Sequence, residues 1–141
     1  MTGDASIHAT CVAFGGKAVL IRGASGTGKS AIGLMLMAMG CRLVSDDRTL
    51  LRRDGANVIA SCPAPIRDMI EARGIGLLKA DSLDAAEIVL VADLDLEIQD
   101  RLPQRRTVTL LGCEIPLIGH IQGPHLAPAI LQILKAGWSD A

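Results

Sequence analysis

The chain has 141 residues, of which 50% are apolar and 21% charged, and its formal net charge is −1. This composition excludes a disordered chain, and the length predicts one domain over residues 1–141. With one Trp and one Phe and almost no net charge, the chain offers neither aromatic stacking surfaces nor a basic patch for nucleic acid. Aliphatic side chains must build the core, which suits a parallel sheet covered by helices.

The cysteines and the N-terminus indicate a cytoplasmic protein. No cysteines have C-x-x-C or zinc-site spacing, so reduced thiols are expected at Cys11, Cys41, Cys62 and Cys113. Residues 1–6 are polar and lack the apolar segment of a signal peptide. The longest apolar run, residues 31–39, is too short to cross a bilayer, so no membrane partner is expected.

Strands and helices are predicted in chain order from apolar runs and turn residues. Ala9–Phe14 and Lys17–Arg22 are strands joined by a hairpin turn at Gly15-Gly16. Residues 30–39 form a helix that is apolar nearly all round and should be buried. The later elements are strands 41–45, 49–53, 57–60, 87–94 and 107–111, loops over 62–65 and 67–76, and a helix over 124–136.

The strongest motif is GASGTGKS, which fits the P-loop pattern G-x-x-x-x-G-K-[ST]. Glycines let the backbone curl so that N–H groups point at phosphate oxygens, and the following helix adds its positive dipole end. Lys29 supplies a charge for the β- and γ-phosphates, and Ser30 offers a hydroxyl to Mg²⁺. The motif predicts that ATP binds with Mg²⁺ at Gly23, Ala24, Ser25, Gly26, Thr27, Gly28, Lys29 and Ser30.

A P-loop site needs an acidic partner at the end of a neighbouring strand, and two candidates compete. Asp46 and Asp47 follow the strand after the P-loop helix, so both carboxylates are expected at the carboxyl edge of the sheet. Asp93 follows IVLVA, which looks more like an ordinary Walker B strand, with Asp95 just beyond it. Three histidines without a partner in the sequence are interpreted as surface residues: His8, His120 and His125.

With these residues identified, the chain resembles the catalytic domain of the HPr kinase/phosphorylase family. His8 begins a stretch like the family's H-x-x-x-V, twenty-one residues before Lys29, as the family has it. GCRLVSDD resembles the family's G-h-R-L-V-x-D-D, and MIEARGIGLL resembles its signature E-x-R-G-h-G. DRLP lies near the arginine-bearing loop. The combination is more specific than any of its parts.

The resemblance implies an α/β P-loop nucleotide-binding fold with a mixed sheet flanked by helices. It also implies an ATP-dependent serine kinase acting on the phosphocarrier protein HPr of a phosphotransferase system, in a homo-oligomer with a hexamer as the candidate assembly. Asp47 is implied to be the base toward the substrate serine, with Asp46 supporting it. The implied catalytic residues are His8, Lys29, Asp46, Asp47 and Arg101, and the implied magnesium ligands are Ser30 and Glu71.

The chain departs from the family pattern in two places. Longer members carry an N-terminal domain, whereas seven residues precede His8 here, so a short form lacking that domain is expected. Longer members also carry a P-V-R-P-G-R-N-like stretch associated with dephosphorylation, where this chain reads IPLIGHIQGP without either arginine. Kinase activity is expected to remain, with little or no phosphorylase activity.

Two alternative functions stay open at this point. One is a small-molecule P-loop kinase that uses Asp93 as its magnesium acid. The other is a regulatory module that binds ATP and transfers nothing to any partner.

Overall fold

The computed structural model describes residues 4–139, which form eleven strands and two α-helices. The strands are β1 (Asp4–Ile7), β2 (Ala9–Phe14), β3 (Lys17–Arg22), β4 (Arg42–Ser45), β5 (Thr49–Asp54), β6 (Asn57–Ser61), β7 (Met69–Ala72), β8 (Gly76–Lys79), β9 (Ala85–Glu97), β10 (Arg106–Leu110) and β11 (Cys113–His120). The helices are α1 (Lys29–Ala38) and α2 (Leu126–Ala136), and a 3₁₀ turn lies at Ala64–Ile66.

The main sheet is mixed and is organised around β9, a strand of 13 residues. On one edge β9 pairs in parallel with β3, which brings Arg22 opposite Asp93 near their carboxyl ends. On the other edge, β6 pairs antiparallel with the start of β9 and β11 pairs parallel with its later part. The outer strands extend the sheet in the order β1-β5-β6-β9-β3-β2-β4, while β7 and β8 form a separate hairpin. The predicted α/β fold with a mixed sheet is confirmed, and the purely parallel sheet that the composition suggested is wrong.

The two faces of this sheet are covered in different ways. On one face, Leu36 of α1 and Ile130 of α2 pack in one cluster with Leu90 of β9. The cluster on the other face contains Leu20 and Val58 but no described helical residue, because strands of the curled sheet cover it instead. The helices therefore lie on one face of the sheet. Since β2 and β3 are buried on both faces, they read as continuous apolar runs in the sequence.

The first predicted elements agree closely with the structure. Strands β2 and β3 have the predicted bounds, and they pair antiparallel. Gly15 and Gly16 join them with φ of 59° and 81°, which glycine adopts without strain. Helix α1 begins one residue earlier than predicted, at Lys29. Its predicted burial all round is wrong, because Met35 is 51% exposed on the side turned away from the sheet.

Four strands were missed because their sequences lack a clear apolar period. Strand β1 comes from the polar N-terminus, of which residues 1–3 lie outside the described part. Strand β7 lies in the stretch 67–76 that was expected to be a polar loop, and β8 begins at the last residue of that stretch. Strand β11 contains Pro116 and Gly119, which weaken any strand pattern. Gly119 is required by space, since a Cβ there would lie 2.3 Å from the Leu96 carbonyl oxygen. The C-terminal helix begins at Leu126, two residues later than predicted.

The cysteines are free thiols, as the sequence indicated. Cys11, Cys41 and Cys113 are buried, and Cys62 is half-buried. Burial in apolar surroundings raises the pKa of the Cys11 and Cys41 thiols, so both stay protonated and unreactive at neutral pH. Between residues 4 and 139, neither helix has the length and apolar character that a membrane span requires.

Candidate active site

The P-loop lies where strand β3 ends and helix α1 begins. Gly23, Gly26 and Gly28 have φ of 147°, 85° and 99°, a region that favours glycine, so the backbone can curl tightly. A Cβ on Gly23 would also lie 2.9 Å from Thr27 Oγ1, which leaves no room for a side chain there. The predicted nucleotide-binding segment 23–30 is therefore one turn at a helix N-terminus, where backbone amides can bind an anion.

Lys29 is folded back over this loop. Its side-chain Nζ donates to the carbonyl oxygens of Gly23 at 3.0 Å and Ala24 at 3.1 Å, and the residue is 7% exposed. Both acceptors are neutral, so a phosphate anion is a stronger partner for the ammonium group than either carbonyl. The loop thus holds a positive charge in place for a ligand that carries negative charge.

Asp46 is a buried carboxylate that connects three elements beside the P-loop. It is 6% exposed, and its Oδ1 accepts hydrogen bonds from Ser30 Oγ at 2.7 Å and Thr10 Oγ1 at 2.8 Å. Its Oδ2 accepts from the Glu71 backbone N–H at 2.9 Å. Helix α1, strand β2 and strand β7 therefore meet at one acid. Sequence reasoning missed Thr10, although a polar residue inside the apolar strand ATCVAF was a signal for it.

Asp47 presents its carboxylate to solvent instead. Its φ of 68° turns the chain away from the direction of Asp46, and its side chain is 74% exposed. His8 Nδ1 lies 3.3 Å from Asp47 Oδ1, and His8 Nε2 lies 3.5 Å from Ser25 Oγ in the P-loop. The structure therefore brings His8, which the sequence alone placed on the surface, between the exposed acid and the phosphate-binding loop.

The two residues predicted to bind magnesium, Ser30 and Glu71, both donate hydrogen bonds to Asp46. Ser30 Oγ contacts Asp46 directly, and Glu71 is joined to it through its backbone N–H, while the Glu71 side chain is exposed. Within residues 4–139 no three His, Cys, Asp or Glu side chains form a ready-made metal cluster. Mg²⁺ needs only one or two protein oxygens when phosphates and waters supply the rest. The donor set therefore fits Mg²⁺ that arrives with a nucleotide.

Arg101 lies apart from this group. It is exposed in the loop between β9 and β10, where it lines a cavity of about 870 Å³ with Trp138 and Leu96. Among the described residues, no member of segment 23–30 lines that cavity. The structure does not bring Arg101 into contact with the P-loop, so its catalytic role stays a prediction.

The competing acid at the end of β9 is already engaged. Asp93 Oδ2 accepts from Arg22 Nε at 3.1 Å, and its Oδ1 accepts from the Asp95 backbone N–H at 2.9 Å. Asp93 is thus poorly placed to act as the free magnesium acid of the alternative kinase.

The other two histidines lie elsewhere in the structure. His120 Nδ1 lies 2.9 Å from Glu97 Oε2, and His125 is exposed just before α2.

A glycine-rich loop between a parallel strand and a helix, with a buried acid bound to its last serine, defines a P-loop α/β protein. The family model described as HPr Serine kinase C-terminal domain matches residues 1–116, and the chain belongs to this family. The HPr kinase/phosphorylase of Exiguobacterium sibiricum is 32% identical over 126 residues, and that of Lactococcus lactis subsp. lactis is 42% identical over 95. The structure of the HPr(Ser) kinase/phosphatase from Coxiella burnetii has a TM-score of 0.78 and 27% identity, covering 93% of this chain and 88% of that one.

The matched regions differ in extent. The alignments cover 80% of this chain and 40% of the Exiguobacterium protein, and 66% of this chain and 31% of the Lactococcus protein. The chain therefore spans less than half the length of these relatives. Its organisation as one domain over residues 1–141 stays a prediction.

Proposed function

We propose that this protein is an ATP- and Mg²⁺-dependent serine kinase that phosphorylates HPr and so regulates a phosphotransferase system. The observation that carries the proposal is the pair Asp46 and Asp47, with one carboxylate buried on Ser30 and the next exposed beside His8. Consecutive acids with opposite surroundings can divide the work of organising the P-loop and accepting a proton. Family membership supports the same activity. The cytoplasm and a homo-oligomer, with a hexamer as the candidate assembly, remain part of the prediction.

Phosphoryl transfer needs charge neutralisation and positioning, which the P-loop side of the site supplies. Lys29 and the backbone amides of segment 23–30 bind phosphate oxygens. Ser30 and Glu71 hold Mg²⁺, which neutralises phosphate charge when it is bound. Asp46 holds the Ser30 side chain and the Glu71 backbone in fixed positions through its hydrogen bonds to both.

The proton acceptor is Asp47. A carboxylate that is 74% exposed can meet the hydroxyl of a serine on another protein, which a buried acid cannot. Asp47 takes the hydroxyl proton on a carboxylate oxygen as the serine oxygen attacks the γ-phosphorus of ATP. The bond from the γ-phosphorus to the β,γ-bridging oxygen breaks, and ADP leaves. His8 orients that carboxylate through the 3.3 Å contact between Nδ1 and Oδ1.

The direct test is incubation of the protein with γ-labelled ATP, Mg²⁺ and purified HPr, followed by mapping of the labelled residue. We expect label on one serine of HPr, and an HPr variant with that serine changed to alanine should stay unlabelled. ATP binding without transfer to HPr would instead indicate the regulatory module. Transfer only to small metabolites would indicate the small-molecule kinase.

The magnesium requirement distinguishes Glu71 from Asp93. We expect Glu71→Gln to raise the Mg²⁺ concentration needed for half-maximal transfer by about tenfold, because a metal ligand is lost. Asp93→Asn is the comparison variant, because Asp93 is the magnesium acid that the small-molecule kinase alternative requires. Activity is titrated against Mg²⁺ for both variants. A raised requirement for Asp93→Asn alone would support the small-molecule kinase alternative.

We also expect little or no phosphorylase activity. Attack of inorganic phosphate on a phosphoserine brings two anions together, and their repulsion must be offset by nearby cations. The segment IPLIGHIQGP has neither an arginine nor a lysine to supply that positive charge. Serine-phosphorylated HPr is offered with phosphate, and pyrophosphate is measured. Efficient, phosphate-dependent release of pyrophosphate would contradict the prediction and show that other cations, such as Arg101, suffice.

A further inference from the structure

Asp95, at the carboxyl end of β9, contacts the backbone of the P-loop. Its Oδ2 accepts a hydrogen bond from the Ala24 N–H at 2.9 Å. The two residues are 71 positions apart, so this contact exists only because β3 and β9 lie side by side. One amide of the phosphate-binding segment is therefore held by a protein carboxylate.

Ala24 is the central residue of the loop's internal hydrogen bonds. Its carbonyl oxygen accepts from the Thr27 N–H at 3.2 Å, from Thr27 Oγ1 at 2.7 Å and from Lys29 Nζ at 3.1 Å. The Ala24 N–H lies in the preceding peptide, between Gly23 and Ala24, whose own carbonyl oxygen accepts from Lys29 Nζ at 3.0 Å. These two consecutive peptides therefore set where the loop turns and where Lys29 is held. A group that fixes the Ala24 N–H acts on the binding site through these contacts.

Asp95 is connected to the neighbouring strand β3 through Asp93 and Arg22. Its backbone N–H donates to Asp93 Oδ1 at 2.9 Å, and Asp93 Oδ2 accepts from Arg22 Nε at 3.1 Å. Arg22 is the last residue of β3, directly before the P-loop. The contacts run from β3 to β9 and back to the loop, which closes a ring of interactions around the start of the P-loop.

We propose that Asp95 is a positioning residue, which keeps the first turn of the P-loop in its phosphate-binding shape by accepting the Ala24 N–H. The inference rests on the proposed function for its effect on nucleotide binding, while the contact itself does not. Asp95 acts through its acceptor oxygen and not through its charge, because a negative charge beside a phosphate site opposes the ligand. This role also accounts for an acid at the end of β9 that the proposed chemistry leaves unused.

Two substitutions separate the hydrogen bond from the charge. Asp95→Asn keeps an acceptor oxygen and removes the charge, whereas Asp95→Ala removes both. In the absence of nucleotide, we expect the Ala24 amide hydrogen to exchange on the order of tenfold faster in Asp95→Ala, and near the wild-type rate in Asp95→Asn. Equilibrium binding of a fluorescent ATP analogue with Mg²⁺ should weaken about fivefold in Asp95→Ala and little in Asp95→Asn.

Asp100→Ala is the matched control, since Asp100 is an exposed acid in the loop beyond the same strand. It should leave both measurements unchanged. The proposal is overturned if Asp95→Ala exchanges the Ala24 amide and binds the ATP analogue like the unchanged protein. It is also overturned if both Asp95 variants bind the analogue more tightly, because the effect of Asp95 would then come from its charge. If the unchanged protein binds no nucleotide, the proposed function is contradicted. The exchange rate of the Ala24 amide in the two Asp95 variants would still decide whether Asp95 positions the loop.

Discussion

Lys29→Ala is expected to abolish phosphoryl transfer while leaving the fold intact. Within the described part of the chain, the Lys29 ammonium group donates to the Gly23 and Ala24 carbonyls of its own loop, and Lys29 belongs to neither apolar cluster of the core. Its loss removes the positive charge that the structure holds over the phosphate-binding loop, and charges fixed in place at a reaction site contribute strongly to catalysis. We expect the transfer rate to fall by about 10³-fold or more.

Thermal unfolding and the transfer rate should be measured on the same Lys29→Ala preparation. Lys17→Ala is the matched control, because Lys17 is exposed at the opposite end of β3. That control should unfold and transfer like the unchanged protein. Transfer at the normal rate by the Lys29→Ala variant would contradict the assignment of the ATP site to segment 23–30.

The second large effect is expected from separate substitutions of the adjacent acids. Asp46→Ala removes a buried acceptor and leaves Thr10, Ser30 and the Glu71 amide without their partner. Because Thr10 is fully buried and Ser30 is half-buried, their unpaired hydroxyl groups destabilise the fold, and we expect the free energy of unfolding to fall by about 3 kcal/mol. Transfer should also be lost, since Ser30 is no longer held. Urea unfolding and single-turnover transfer measure the two effects.

Asp47→Asn should keep its stability and lose transfer activity. The side chain is 74% exposed, and asparagine tolerates the φ of 68°, so stability should stay within about 0.5 kcal/mol of the original. The amide cannot accept the serine proton, and transfer should fall by roughly 10²- to 10⁴-fold. If Asp46→Ala were the stable variant and Asp47→Asn the unfolded one, the roles assigned to the two acids would have to be exchanged.

The parts of the site that follow from local sequence were predictable. The P-loop depends on glycines and a following helix within eight residues, and its conformation is set by neighbours in the chain. The hairpins β2–β3 and β5–β6 carry glycine turns between apolar runs, which is again local information. The placement of Asp46 and Asp47 after a short strand followed from the rule that ligands bind at the carboxyl edge of a sheet.

The parts that depend on distant contacts were not predictable from the residues alone. Glu71 reaches the site only because its backbone N–H bonds Asp46 across 25 positions, from a hairpin whose side chains show no apolar period. Thr10 reaches the same carboxylate across 36 positions. Thr10 stands out as a polar residue in an apolar strand, but without a known family nothing in spacing or composition names Asp46 as the partner of either residue, since the bonds form only after the sheet has assembled.

The packing of α2 has a practical consequence for how this protein can be divided. The family model stops at residue 116, before the second half of β11 and the whole of α2. Yet Ile130 is fully buried and Leu134 is 2% exposed, in the cluster that covers Val19 and Leu90. A chain cut at residue 116 would expose to water the part of that sheet face that α2 covers. An exposed apolar patch of this kind favours self-association. The segment that the family model matches therefore leaves out α2, which contributes Ile130 and Leu134 to the buried core.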